Sequence, residues 1–202
     1  MQISATDNKQ THWVQQYFAP GAWPFWLVHV GAVVGVVQLG FSWRGVLLAI
    51  GLYYARMFLV TAGYHRYFSH MAYKTSRVGQ FLLGFFGTMC VQKGPLWWAG
   101  HHRAHHKFAD TVDDPHSPRQ RGLLWAHVGW IVSPENNHTR MENVRDLERY
   151  PELVWLNRYH LVPVIVYAAA LSLTLGWFGF VWGFLVSTVL LWHGTFTINS
   201  LT

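Results

Sequence analysis

The chain contains a single cysteine, Cys90, among 202 residues. That excludes an intrachain disulfide and any metal site made of clustered thiolates. Flanked by apolar residues, Cys90 reads as a small buried hydrophobe. Charge is scarce as well: Asp, Glu, Lys and Arg together make up 12% of the residues, about half the share in a soluble domain. Acids are the rarer sign, nine against fifteen Lys and Arg. The first 22 residues hold Asp7 and Lys9 and lack a basic start leading into a short apolar core, so they do not read as a cleavable signal. There is no internal repeat and no low-complexity segment.

Hydrophobic length is what the chain has instead. Four apolar stretches, at about residues 23–41, 45–62, 159–176 and 178–197, approach the roughly 20 residues that cross a bilayer. Trp23, Trp26, Trp43, Trp177 and Trp182 lie at or near their ends, where interfacial aromatic belts sit. The expected fold is all-α: a multi-pass transmembrane helical protein with four spans as two hairpins under a histidine-rich helical cap. A further apolar stretch, 78–90, is short and broken by Gly79, Gly84 and Gly87, so it is expected to lie in the interface or against the protein body. Residues 142–149 look like a short, exposed amphipathic helix.

Twelve of the fifteen Lys and Arg fall between Arg66 and Arg158. By the positive-inside rule this block, and the N-terminus with it, is expected on the cytoplasmic side. The same block holds eight of the nine acids, so it is a mixed solvated face and no nucleic-acid stripe. Arg56, inside the second stretch, must either snorkel to the surface or pair within the bundle.

Five of the thirteen histidines form two tight clusters, His65-Arg-Tyr-Phe-Ser-His70 and His102-Arg-Ala-His105-His106, each just after an apolar stretch. Neutral imidazole is a preferred ligand for iron, copper, zinc and nickel. On a helix, His102, His105 and His106 share a face. His65 and His70, five apart, would lie roughly 140° apart on an ideal α-helix. They converge best where a helix ends. No carboxylate stands in the clusters, no His-Glu-x-x-His motif occurs, and no Cys or Met pair flanks them, which argues against zinc-hydrolase and copper sites. The Glu-x-x-His pairs of carboxylate-bridged di-iron bundles are also absent. Redox-active iron is the remaining candidate.

The pattern His65-x4-His70, the run QKGPLWWAGHHRAHHKF from Gln92, Asp114-Pro115-His116, His127-Val-Gly-Trp130 and Asn199-Ser200 together resemble the membrane-bound acyl-CoA desaturases of the delta-9 type, from about residue 20 to residue 202. The resemblance implies two irons held by histidines from three boxes, with O2 as co-substrate and a cis double bond placed in a saturated acyl chain. It carries iron ligation to His65, His70, His102, His105 and His106. Asn199 would reach an iron through water, and Gln92, Trp98 and Thr195 would line the acyl tunnel. A small electron-carrier protein and its reductase are implied, because nothing here resembles a haem, flavin or iron–sulfur site.

Two departures stand out. The family has a further ligand histidine four residues after the Asn and a final His-x-x-His-His box, so the chain reads as the N-terminal portion of one desaturase domain, 1–202, not expected to turn over as given. Animal members carry a basic pair shortly after the Gly-Trp, where Ser133-Pro134-Glu135 stands here, which leaves fatty acyl-CoA and a lipid-linked acyl chain both open as substrate. Related histidine boxes also serve membrane hydroxylases of alkanes or lipids, and a non-catalytic membrane fragment is the third alternative. The compact loops suit a bacterial inner membrane more than the endoplasmic reticulum. Of the remaining histidines, His101 is expected beside the site or exposed, His116 and His127 are expected to be structural, and His193 to bond across helices.

Overall fold

Helix starts and stops are written into the local chemistry of the described chain, residues 17–201 of a computed structural model. Helix α1 (Trp23–Leu39) has Pro24 in its first turn, where the missing N–H is no loss, and ends at Gly40 with φ 73°. Helix α2 (Trp43–Leu59) is capped by Ser42, whose Oγ accepts from the Gly45 N–H at 3.2 Å. It continues without a break into a π-helix, Val60–Ser69. Among the described residues the remainder is also helix and turn, with no strand.

Three runs are long and apolar enough to cross a membrane: Pro20–Leu39, Trp43–Ser69 and Leu161–Leu201. The last contains both of the expected C-terminal stretches. It comprises α6 (Leu161–Phe178), a π-helical segment Gly179–Val186 and α7 (Ser187–Leu201), and it is broken at Gly176 (φ 63°, ψ −153°). That backbone conformation strongly favours glycine. The chain doubles back there. Tyr167 Oη donates to the Gly183 carbonyl at 3.0 Å, whereas 16 residues of straight helix would span about 24 Å. Leu27, Val30, Val33 and Val37 on α1, Leu47 and Phe58 on α2, and Ile165 and Leu173 on α6 are exposed, an apolar surface suited to lipid rather than water.

Helix α3 (Arg77–Thr88) is about 18 Å long and is not among the runs able to cross. One side buries Gly84 and Gly87 against Leu153, Leu156 and Tyr64, and the other leaves Val78, Leu82 and Phe86 exposed. Helix α4 (Pro95–Phe108) carries the second histidine cluster, and α5 (Pro151–Arg158) packs beside it. The single helix expected over 142–149 is replaced by two short turns, Met141–Asn143 and Arg145–Glu148. Val144 between them leaves the helical region (φ −133°) and buries its side chain with Tyr64, Phe68, Leu96, Leu153 and Leu156. Core packing outweighs the local helical pattern there.

Arg56 pairs inside the bundle. Its guanidinium donates to Thr188 Oγ1 at 2.9 Å and Ser187 Oγ at 2.6 Å, and lies 4.9 Å from the Tyr167 ring centroid. A second polar link runs through three imidazoles. His29 Nδ1 faces the Phe25 carbonyl at 2.8 Å, His29 Nε2 faces His193 Nε2 at 3.0 Å, and His193 Nδ1 faces His127 Nε2 at 3.0 Å. A carbonyl only accepts, so His29 Nδ1 carries a proton and a neutral His29 accepts at Nε2. His193 then donates from Nε2 and accepts at Nδ1 from His127, and His127 Nδ1 accepts from Ser200 Oγ at 3.1 Å. One carbonyl thus sets three tautomers and ties α1, α7 and the short π-helix Trp125–Gly129 together. The sequence assigned His29 no role. His193→Leu strands two imidazole nitrogens and should cost about 1–2 kcal/mol; thermal unfolding in detergent checks this, and an unchanged midpoint would contradict the link.

Candidate metal centre

The first cluster is shaped by the π-helix. Its i→i+5 pattern, seen in the His70 N–H to His65 carbonyl bond at 3.1 Å, widens the turn so that a residue five positions on returns toward the same face. This removes the roughly 140° offset of an ordinary helix. The His65 and His70 rings come to 4.5 Å between centroids. Met71 follows at φ 50° and ends the segment.

The second cluster is set by the start of α4. Pro95 occupies the first turn, Asn157 Oδ1 accepts from the Trp97 N–H at 2.8 Å, and Gly94 lies against Asn157 so closely that a Cβ would sit 2.4 Å from the Asn157 Cα. The helix is thereby fixed to α5. Arg103, between the ligand candidates, joins it to the first cluster. All five of its N–H groups are used: Nε on Ser69 O (3.1 Å), Nη1 on Asn143 O (2.8 Å) and Asp146 Oδ1 (2.6 Å), Nη2 on Phe68 O (2.6 Å) and Asp146 Oδ2 (3.0 Å). Burial alone would raise the Asp146 carboxyl, but the hydrogen bond and charge of Arg103 more than offset it and hold it below the usual range. No sequence signal marked Arg103 beyond its place inside the box.

The result is that His65, His70, His102 and His106 meet. His70 Nε2 lies 3.2 Å from His65 Nε2 and 3.1 Å from His102 Nε2, and His106 Nε2 lies 3.0 Å from His102 Nε2. All four ligand atoms fall within 4.8 Å of one another. Each imidazole nitrogen has one in-plane position, either a proton or a lone pair. His70 and His102 each face two nitrogens with that one position, so hydrogen bonding cannot satisfy the group, whereas a cation accepting four lone pairs can. The donor set fits a transition metal. Burial, with the neighbouring imidazoles, pushes His102 down to about 2, and burial lowers His106, which keeps both in the neutral, ligating form. Trp98 stacks on His102 at 4.8 Å and fixes its ring.

His105 lies apart, in a second group with Asp114 and His116. Its Nδ1 faces both Asp114 oxygens at 3.0 Å, and Asp114 also accepts from the N–H groups of Asp110 and His116. Burial would raise Asp114, and these bonds more than offset it. A carboxylate on Nδ1 leaves His105 Nε2 as the free lone pair, the usual support for a ligating histidine. His116 stacks on His105 at 4.2 Å. His101, expected beside the site or exposed, is buried, with Nδ1 on the Trp97 carbonyl at 2.9 Å.

A cavity of about 220 Å³ adjoins the cluster, walled by Phe25, Val28, Val91, Ile131, Trp192 and Phe196 and reaching His102. Gln92, Trp98, Thr195 and Asn199 all line it. Trp98 Nε1 donates to Gln92 Oε1 at 3.1 Å and Gln92 Nε2 to Thr195 Oγ1 at 3.0 Å, a polar strip across an otherwise apolar wall.

An all-helical protein with membrane-length helices and an imidazole cluster beside an apolar cavity defines the class. The fatty acid desaturase family model matches residues 41–201, and the chain belongs to that family. It is 31% identical to the sn-1 stearoyl-lipid 9-desaturase of Anabaena variabilis across 100% of this chain and 72% of the relative. It is 34% identical to the sn-2 palmitoyl-lipid 9-desaturase of Nostoc sp. (strain 36), over 79% of this chain and 58% of that one. The probable acyl-CoA desaturase of Schizosaccharomyces pombe is 33% identical over 84% of this chain and 37% of its own length. The chain thus spans between 37% and 72% of these three relatives.

Two variants test the clasp. Arg103→Lys, which replaces a five-donor fork with a point charge, should cost about 2 kcal/mol of stability, the partial exposure of the pair reducing the usual penalty. Because the folded Asp146 carboxyl is depressed, its contribution is present above the ordinary carboxylate range and is lost as pH falls through it. The gap in thermal midpoint between the native chain and Asp146→Asn should therefore be widest above about pH 5 and shrink toward acid; a gap that widens in acid would contradict the assignment.

Proposed function

We propose that the protein is an oxygen-dependent fatty-acyl desaturase whose iron centre is held by His65, His70, His102 and His106, with His105 on a second iron. Supporting this most directly is the meeting of four imidazole nitrogens from two separate segments beside a cavity with an apolar wall. When bound, iron would supply the oxidising chemistry, with O2 as co-substrate, that removes two hydrogens from a saturated chain. The protein's own part is positional. Phe25, Val28, Val91, Trp192 and Phe196 would enclose the acyl chain and exclude water, while the Trp98–Gln92–Thr195 strip would fix its path past His102. Asn199 would hold a water toward an iron, and Asp114 would keep His105 ligating through Nε2.

The topology follows as part of the same reading. The two halves of Leu161–Leu201, folded back at Gly176, would form one hairpin and α1 with α2 the other, giving four spans. The histidine cap and the basic middle block would face the cytoplasm, in a bacterial inner membrane, and electrons would come from a small carrier protein and its reductase. The expected cytoplasmic N-terminus falls mostly outside the described residues. Relatives are named for acyl chains on lipid and on CoA alike, so the family alone leaves the carrier open.

In cells making the protein and supplied with saturated fatty acid, His102→Ala should abolish unsaturated product. Asp114→Asn should lower metal affinity or activity by about 10–100-fold. Mass analysis separates the reactions: loss of two hydrogens supports desaturation, and gain of one oxygen would replace it with a hydroxylase. Retained desaturation in His102→Ala would remove the ligand assignment.

A further inference from the structure

Lys93 stands out among the residues lining the cavity. It is the one Lys, Arg, Asp or Glu among the described residues of that wall. No described carboxylate lies within ion-pair distance of it; its ammonium donates to Asn137 Oδ1 at 2.7 Å and sits 4.6 Å from the Trp97 ring centroid. A half-buried cation without an anion is costly unless something else satisfies it. Burial lowers it to about 8, which leaves it charged at neutral pH.

The backbone holding Lys93 is strained in a way that is over-determined. Val91 and Lys93 both have positive φ, 58° and 61°, which is rare for any non-glycine residue and an outlier for valine. Two side chains lock the segment: Trp192 Nε1 donates to the Val91 carbonyl at 2.9 Å, and Tyr64 Oη to the Lys93 carbonyl at 2.8 Å. Strain kept in place by such anchors is common at ligand clamps.

The surroundings locate this end of the cavity. Gly21 and Pro24, at the start of the first membrane-length run, and Leu161 and Val164, at the start of the third, line the same space. Asn137 and His160 line it too, and His160 uses Nδ1 on the Asn157 carbonyl at 3.3 Å. Cation, amide and imidazole therefore stand where two membrane-length helices begin, the end of such helices that would meet a lipid's head and ester linkages. One ammonium can answer a carbonyl and at most one negative charge. The several phosphate charges of a CoA thioester would meet no second cation in this wall.

Resting on the desaturase reading, we propose that this end of the cavity recognises the head of a glycerolipid, with Lys93 on a singly charged headgroup, and that the substrate is a lipid-linked acyl chain and not a CoA thioester. The test uses the purified chain in detergent, with the fluorescence of the tryptophans around the cavity as readout and chains brominated at carbons 9 and 10 as quenchers. The probes are dibromostearoyl lysophosphatidylglycerol, dibromostearoyl-CoA and the methyl ester of dibromostearate. The lysolipid should quench saturably at about tenfold lower concentration than the CoA ester, K93M should weaken the lysolipid about tenfold, and K93R should recover most of that loss. The methyl ester, lacking a charged head, should be shifted far less by K93M, which also shows that the variant folds. A CoA ester binding as tightly as the lysolipid, or a lysolipid indifferent to K93M, would overturn the headgroup assignment. Saturable quenching by none of the probes would instead overturn the acyl-cavity reading beneath it.

Discussion

The five-donor grip of Arg103 is the interaction on which the rest of the site depends. Two histidine pairs come from segments more than thirty residues apart, one closing a π-helix and one on α4. Arg103 takes the Phe68 and Ser69 carbonyls from the first and Asp146 from the loop beyond the second, so the relative height and rotation of the two are set by one planar group. Lysine could not reproduce this, having three rotatable donors and no fork. The guanidinium also satisfies carbonyls that the end of a helix leaves open.

Around that clasp, the molecule reconciles two demands that oppose each other. Ligating imidazoles must be neutral and close together, which burial and mutual repulsion of their protonated forms favour. Yet lone pairs brought to about 3 Å repel unless a cation takes them. The site is therefore held by its supports, namely Trp98 stacked on His102, Asp114 on His105 and Asn157 at the start of α4. A metal pocket that persists by such supports resists collapse into ordinary packing.

Much of this was legible in the residues, and the misses have physical causes. Apolar length marked the membrane helices, and the spacing of His102 and His106 marked their shared face. The spacing did not show that His105 stands apart from His102 and His106 with its Nδ1 on Asp114, because i, i+3 and i+4 positions fan out over part of a turn and a buried carboxylate can meet the outermost. The His65–His70 pair was expected at a helix end; periodicity cannot distinguish that from a π-helix, since the two differ only in which carbonyl an N–H selects. The turn at Val144 was hidden for a related reason, its charges suggesting a helix while its one valine was claimed by the core. Arg103 and the His29–His193–His127 link make contacts between residues from 34 to 164 positions apart, and no local pattern encodes them.

X-ray absorption on the iron-loaded chain tests most directly whether imidazoles from both segments bind one ion together. The shell should be nitrogen and oxygen with the outer scattering of several imidazoles, and His70→Ala and His102→Ala should each remove imidazole scattering from the same centre. If either single variant leaves the iron environment unchanged, the two segments do not share a metal and the account fails.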